Sequence, residues 1–265
     1  MAGVRRRNRK TRRRSSCRGE AAALVAIPVF NEVRYVDDIL KAVRRYSKNI
    51  LVVDDGSTDG TSEAVRKHRC VQVIRHAKNS GYGQSLIDTF DFARRHKYDW
   101  VISLDCDHQH EPSYIPRFNR EIDRDDADIV SGSRYLRKIR SGPVLPPAER
   151  VAINTRITAI LNENPGLELT DSFCGFKAYR IAGVSRLELT EKGYGFPLQL
   201  WVQAGKAGLR IREIPVPLIY HDPRRKFCGV LENAQVRFNY YMEIIERELG
   251  GNVCKAAAES FCPQG

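Results

Sequence analysis

The sequence predicts an α/β fold: a mostly parallel sheet flanked by helices, in a single domain. Three observations carry this. Short apolar runs alternate with helix-period segments through the first half of the chain, as successive βαβ units require. Several runs are apolar throughout, as expected of strands covered on both faces. With 265 residues and 42% hydrophobic content, the chain can bury a sizeable core.

Taken in order, strands are expected at Leu24 to Val29, Ile50 to Asp54, Val71 to Arg75, Trp100 to Leu104 and Asp128 to Ser131. Between them the apolar spacing places helices near Val33 to Tyr46, Ser62 to Lys67, Gln84 to Arg95 and Tyr114 to Arg124. Asp59 or Thr58 is a candidate cap for the second helix, and Ser113 for the fourth. Beyond Ser133 comes a Pro/Gly-rich loop, Ser141 to Pro147, expected to form a flexible flap, and then a helix from Ala148 to Asn162. A second set follows: a strand near Phe173 to Tyr179, a helix from Pro197 to Ala207, a strand from Leu209 to Ile214 and a loop from His221 to Phe227. The last segment, Leu231 to Glu248, is helix-periodic with an imperfect apolar face. The organisation expected is a disordered basic tail at 1–20, the α/β domain at 21–228, and a C-terminal helix and tail at 229–265.

The net charge of +12 describes the tail more than the fold. Residues 1–19 hold nine Lys or Arg and no acid, which leaves only +3 for the rest. Such an arm reads as a solvated segment or as a surface for anionic lipid or nucleic acid. No apolar run approaches the roughly 20 residues that span a bilayer. The run Ala21 to Phe30 leads into Asn31-Glu32 where a signal peptide would carry a cleavage site, so it reads as a buried first strand. Seven scattered cysteines without a C-x-x-C pair suit free thiols in a reducing cytosol.

Ligands of open parallel sheets bind outside the carboxyl ends of the strands, and the candidate chemistry of this chain gathers there. The second strand ends in Asp54-Asp55-Gly56-Ser57-Thr58-Asp59-Gly60-Thr61. A carboxylate so placed can accept hydrogen bonds from a ribose or base, although the same residues also make an ordinary turn. Asn79-Ser80-Gly81-Tyr82-Gly83 offers glycines for close backbone approach ahead of a helix N-terminus that favours phosphate. The fourth strand ends in Asp105-Cys106-Asp107-His108-Gln109-His110, whose acids suit Mg²⁺ or Mn²⁺ bridged to substrate phosphates. In an extended segment Asp105, Asp107 and Gln109 share one side, and Cys106, His108 and His110 form a rival, zinc-like set on the other.

Ile27 to Glu32, Val53 to Thr61, Leu104 to His110 and Gly132-Ser133-Arg134-Tyr135 together resemble the motif series of family 2 inverting glycosyltransferases with the GT-A fold. Within that family the chain looks most like the dolichol-phosphate mannosyltransferase group of polyprenyl-phosphate glycosyltransferases, over about residues 22 to 228. The resemblance implies that Pro28, Phe30, Glu32 and Asp55 line the nucleoside pocket, beside Gly56, Ser57 and Gly81, and that Asp105, Asp107 and Gln109 hold the metal and the donor diphosphate. It implies that Arg134 faces phosphate and that Arg225 and Lys226 clamp donor or acceptor phosphates. Asp171-Ser172-Phe173-Cys174-Gly175-Phe176-Lys177 resembles the family's acceptor segment. There Asp171 would position the acceptor or, with a sugar hydroxyl, act as base; an anionic phosphate acceptor needs no base. Relatives often carry an acid near Gln199, where this chain has an amide.

The resulting expectation is an enzyme that transfers a hexose from a GDP- or UDP-linked donor to a polyprenyl phosphate, with Mg²⁺ or Mn²⁺, at the cytoplasmic face of a membrane. An anionic membrane surface and a membrane-protein partner are partners left open. The tail carries most of the anchor reading; the C-terminal helix could add Phe238, Tyr241 and Ile245 at the interface or pack that face on the domain's own core. The alternatives are a soluble transferase acting on a sugar or small-molecule hydroxyl, and a basic-tailed nucleic-acid-binding protein. No aromatic-interleaved basic patch in the folded part supports the latter, so no nucleic acid is expected.

Overall fold

The computed structural model describes residues 23–137, 139, 144–220 and 229–251. The Arg-rich tail, Arg225, Lys226 and residues 141–143 of the expected flap lie outside the described residues.

The order of elements is β1 (Ala23–Val29), α1 (Val36–Val43), β2 (Ile50–Asp54), α2 (Thr61–Arg66), β3 (Gln72–Arg75), α3 (Tyr82–Arg95), β4 (Trp100–Ser103), α4 (Ile115–Asp123) and β5 (Ile129–Ser133). It continues with α5 (Ala148–Asn162), β6 (Lys177–Arg180), α6 (Ile181–Val184), α7 (Phe196–Lys206), β7 (Ile211–Pro215) and α8 (Ala234–Leu249). Seven strands form one sheet in the order β3-β2-β1-β4-β6-β5-β7, all parallel except β6.

Alternation along the strands divides the core into two layers. Leu24, Ala26, Leu51, Val53 and Val101 face α3, α5, α7 and α8, whereas Val25, Ile27, Val52 and Ile102 face α1 and α4. Removing each such aliphatic side chain from water is worth about 1.5–3 kcal/mol, so these two layers hold the sheet in register. The last helix belongs to the first layer. Phe238, Tyr241 and Ile245 are 2%, 3% and 0% exposed, so the apolar face of α8 is spent on the protein's own core and is not laid open for a bilayer. Its start is set by Asn233, whose side chain accepts from Gln235 N and Val236 N.

Some expected local features shift. Asp59 sits one residue outside the N-cap of α2, which is Gly60, and its carboxylate accepts from Thr61 N and Thr61 Oγ1. Ser113 does not cap α4; it lies in a 3₁₀ turn, Pro112–Tyr114, and its hydroxyl points to Glu111. The sixth strand begins only at Lys177, because residues 171–176 leave the sheet to build the site.

Two features of this topology gather functional segments at one sheet edge. Strand order reverses direction between β1 and β4, the switch point at which open α/β sheets bind ligands. Pairing of β1 with β4 ends at Ala26, so Pro28 faces only β2 across the sheet, at a place where its missing N–H costs no second ladder. Because β6 runs antiparallel between β4 and β5, its N-terminal lead, residues 171–176, lies on the same sheet edge as the carboxyl ends of β4 and β5.

Candidate active site

The turn after β2 is built from its own polar side chains. Asp54 accepts from Ser57 N at 2.9 Å and from the Ser62 hydroxyl, while Ser57 Oγ accepts from Asn31 N at 3.0 Å and Thr61 Oγ1 from Glu32 N at 2.8 Å. The loop after β1, with Phe30 and Glu32, is thereby fastened to the Asp-Asp-Gly-Ser turn. Ser57 serves here as a fastener.

Asp55 is almost fully buried. Its Oδ1 accepts from Ser80 N at 2.8 Å and lies 2.6 Å from His76 Nδ1, and its Oδ2 accepts from Gly81 N at 2.9 Å. The glycines of this region let protein backbones approach one another. A Cβ on Gly56 would sit 2.5 Å from the Lys78 carbonyl carbon, and one on Gly81, at φ +106°, 2.2 Å from the Lys192 carbonyl oxygen. That same oxygen accepts from Gln84 N at 3.1 Å. The N-terminus of α3, read from sequence as a phosphate site, is therefore partly closed by the loop before α7. Gln199 organises that loop, with Oε1 accepting from Thr190 N and Glu191 N.

After β4 the chain bends instead of continuing extended, with His108 in the left-handed region at φ +60°. The expected two-sided alternation therefore fails. Cys106 packs in the core, His108 stacks edge-on to Tyr35, and His110 Nδ1 accepts from Asp105 N at 3.0 Å. Burial pushes the His110 ring down to about 4, and its other nitrogen lies 3.9 Å from Cys174 Sγ. The zinc-like set does not converge, and among the described residues no group of three or more His, Cys, Asp or Glu could hold a metal. Asp105, Asp107 and Gln109 are half-buried on this bend, as is His108. Asp105 is one-third exposed, Asp107 accepts from Gln109 N at 3.0 Å, and Gln109 follows on the same turn. Asp105 rests on the bare Cα of Gly175, where a Cβ would meet its carboxylate oxygens at 2.4 and 2.7 Å. The Tyr82 hydroxyl donates to Asp105, and burial together with the charge of Asp105 holds that phenol well above its usual range.

The third part is a buried ion pair. Asp171 is 0% exposed and receives Arg134 Nε at 2.6 Å, Arg134 Nη2 at 2.9 Å, Arg134 N at 3.1 Å, Asn154 Nδ2 at 2.9 Å and Phe173 N at 3.2 Å. Burial alone would raise its pKa; the charge and hydrogen bonds of Arg134, with that of Asn154, outweigh burial and hold it at about 2. Placed so, the carboxylate is taken up by these five donors, which favours the positioning role over the base role among the two read from sequence. Behind it, Glu213 accepts from Thr170 N and Asp171 N. Lys177 is also buried, its ammonium donating to Cys174 O above the Trp201 ring.

The Asp54–Ser57 turn after β2, the acidic bend after β4 and the Arg134–Asp171 pair after β5 thus follow the carboxyl ends of strands of one sheet. The profile of Glycosyl transferase family 2 matches residues 24–187. The chain belongs to this family. It is a glycosyltransferase with the GT-A fold. It is 29% identical over 209 residues to an undecaprenyl-phosphate mannosyltransferase of Micrococcus luteus, covering 75% of this chain and 84% of that protein. It is 29% identical over 204 residues to a polyprenol monophosphomannose synthase of Mycolicibacterium smegmatis, covering 73% and 76%. The glucosyl-3-phosphoglycerate synthase of Mycobacterium tuberculosis, solved with Mn²⁺, UDP and glucosyl-3-phosphoglycerate, superposes with a TM-score of 0.67 at 16% identity over 87% of this chain and 80% of that one, a likeness of fold.

The sequence assigns no role to Asn154, His76 or Asp88, and carries Tyr82 and Gly175 only within their motifs; in the structure Asn154 bonds Asp171, His76 bridges Asp55 and Asp88, and Tyr82 and Gly175 meet Asp105. Only His76 carried a local signal, its place just beyond β3 at the same sheet edge.

Proposed function

We propose that this glycosyltransferase moves a hexose, of the mannose or glucose type, from a GDP- or UDP-linked donor to a polyprenyl phosphate with inversion at the anomeric carbon. The observation that carries the proposal is the commitment of Asp171. A hydroxyl acceptor needs a base to take its proton in the displacement, whereas a phosphate monoester arrives as an anion. With Asp171 neutralised by Arg134 and held at about 2, the acceptor segment suits a nucleophile that brings its own charge. The relatives named for undecaprenyl phosphate and polyprenol support the same acceptor class.

In this reading Pro28, Phe30, Glu32 and Asp55 hold the nucleoside, and Arg134 turns its remaining N–H groups toward phosphate, a planar cation matched to phosphate oxygens. Arg225 and Lys226 are assigned to the same anions. Two carboxylates and an amide form a hard oxygen set that fits Mg²⁺ or Mn²⁺, ions that complete their shell with water and phosphate oxygens. Asp105, Asp107 and Gln109 would hold the ion, which supplies Lewis-acid stabilisation of the departing diphosphate. Gly175 and Tyr82 fix where the Asp105 carboxylate points.

A membrane-bound acceptor brings the enzyme to a headgroup plane, and no helix among the described residues is long and apolar enough to cross a membrane. With α8 committed to the core, the Arg-rich tail is the proposed contact, at roughly 1 kcal/mol per basic residue near an anionic surface; a membrane-protein partner is the alternative. The test pairs GDP-mannose, UDP-glucose and UDP-N-acetylglucosamine with either a polyprenyl phosphate or simple sugar alcohols. Lipid-linked sugar formed only with the phosphate acceptor is expected; efficient transfer to hydroxyls would overturn the reading.

A further inference from the structure

We propose that His76 is a positioning residue of the donor site, a two-sided clamp that holds Asp55 and, through it, the backbone of Ser80 and Gly81. The inference rests on the nucleotide-sugar reading above and concerns residues to which that reading gives no role.

His76 follows β3 and is 12% exposed. Its Nδ1 lies 2.6 Å from Asp55 Oδ1 and its Nε2 lies 2.9 Å from Asp88 Oδ2. Each ring nitrogen thus faces a carboxylate oxygen within hydrogen-bond distance, and the ring bridges the two acids. Asp88 is steadied in turn by Gln84 Nε2 at 3.1 Å. The clamp therefore spans three elements, with Asp55 at the end of β2, His76 after β3, and Asp88 with Gln84 on α3.

Two physical consequences point to the donor. First, the orientation of Asp55 is set by three partners, His76 and the N–H groups of Ser80 and Gly81, and the ring is the only side chain among them. Losing it frees the carboxylate to rotate and the loop with it. Second, an incoming nucleotide diphosphate is an anion approaching Asp55 and Asp88. The ring keeps both carboxylates occupied, and its loss would leave them free to turn toward that anion. A merely structural ion pair would not alter nucleotide affinity.

The experiment uses the full chain with His76→Gln, His76→Ala and Asp88→Asn. The last leaves no cavity, and it keeps the test usable should the histidine variants fold poorly. Calorimetric binding of GDP and of UDP, each with Mn²⁺, is combined with amide hydrogen exchange over the peptide that contains Ser80 and Gly81. The expected result is faster exchange in that peptide and an affinity about tenfold weaker for whichever nucleotide the wild type binds, the scale of one lost charge-assisted hydrogen bond. His76→Gln, which keeps one N–H donor, is expected to lose less than His76→Ala. Faster exchange with unchanged nucleotide affinity would overturn the donor role and leave a structural clamp. A wild type that binds neither nucleotide would overturn the nucleotide-sugar reading itself, and the proposal with it.

Discussion

Arg134 donates to Asp171 from three nitrogens at 2.6, 2.9 and 3.1 Å, one of them its own backbone N–H. The backbone bond ties the end of β5 to the acceptor segment before the guanidinium is even counted. The side-chain fork then fixes the direction in which the remaining positive charge can act.

Removing one partner of this pair leaves the other as a buried charge. Asp171→Asn is therefore expected to destabilise the fold by about 3–5 kcal/mol, measured by denaturant unfolding, and to lower activity at a temperature where the variant remains folded. A change below about 1 kcal/mol would contradict the account of Asp171 as a saturated buried carboxylate.

The same residue sets a pH dependence. Its folded pKa, about 2, lies below the ordinary value of 3.8. The unfolded chain therefore takes up this proton first, and stability is fully present above about pH 4 and lost as pH falls toward 2. The contribution is on the order of 2 kcal/mol. Unfolding free energies between pH 6 and pH 2.5 should show this loss in the wild type, and Asp171→Asn should flatten that part of the curve.

Gly175→Ala places a methyl group against the Asp105 carboxylate, at 2.4 and 2.7 Å from its oxygens. The carboxylate is the end of a side chain and can turn away, so the melting temperature should shift little. Turning it misplaces the acid by about 1 Å, and activity is expected to fall about 100-fold. Wild-type activity in this variant would show that the direction of Asp105 is unimportant.

Asp107→Asn, and separately chelation of the wild type, should each abolish sugar transfer, and added Mn²⁺ should restore only the chelated wild type. The melting temperature of the apo-variant should match that of the wild type, because the bond that Asp107 accepts from Gln109 N lies within its own turn. Full chelator-resistant activity would refute the assignment of the acidic bend.

Ile245→Ala removes a fully buried side chain of α8 and is expected to cost about 2–5 kcal/mol of stability. Flotation with anionic liposomes should be unaffected while the protein is folded. If membrane binding falls instead of stability, α8 lies on the bilayer after all.

Much of the fold was legible because the strands are short, apolar and punctuated. β2 is found at Ile50–Asp54 and α5 at Ala148–Asn162, the bounds read from sequence. Both are bounded by strong local signals, an acidic turn after one and a proline before the other. The sixth strand was less so. Phe173 to Phe176 are apolar enough to read as strand, but they leave the sheet to carry Gly175 under Asp105, a demand made by a residue 70 positions away.

The site divides along the same line. The sequence alone determined which residue types collect at strand ends, that their order matches a glycosyltransferase family, and that the acids after β4 are hard oxygen donors. These follow from local spacing and strand polarity. Only the tertiary structure decided what each side chain is spent on. Asp171 pairs with Arg134, Asp55 is held by His76 and two backbone amides, α3 is capped by Lys192, and Phe238 and Ile245 turn inward. The physical reason is that a hydrogen bond or ion pair is a property of two groups brought together. In this protein the antiparallel insertion of β6 and the packing of α8 bring them together across long stretches of chain, where no sequence period runs.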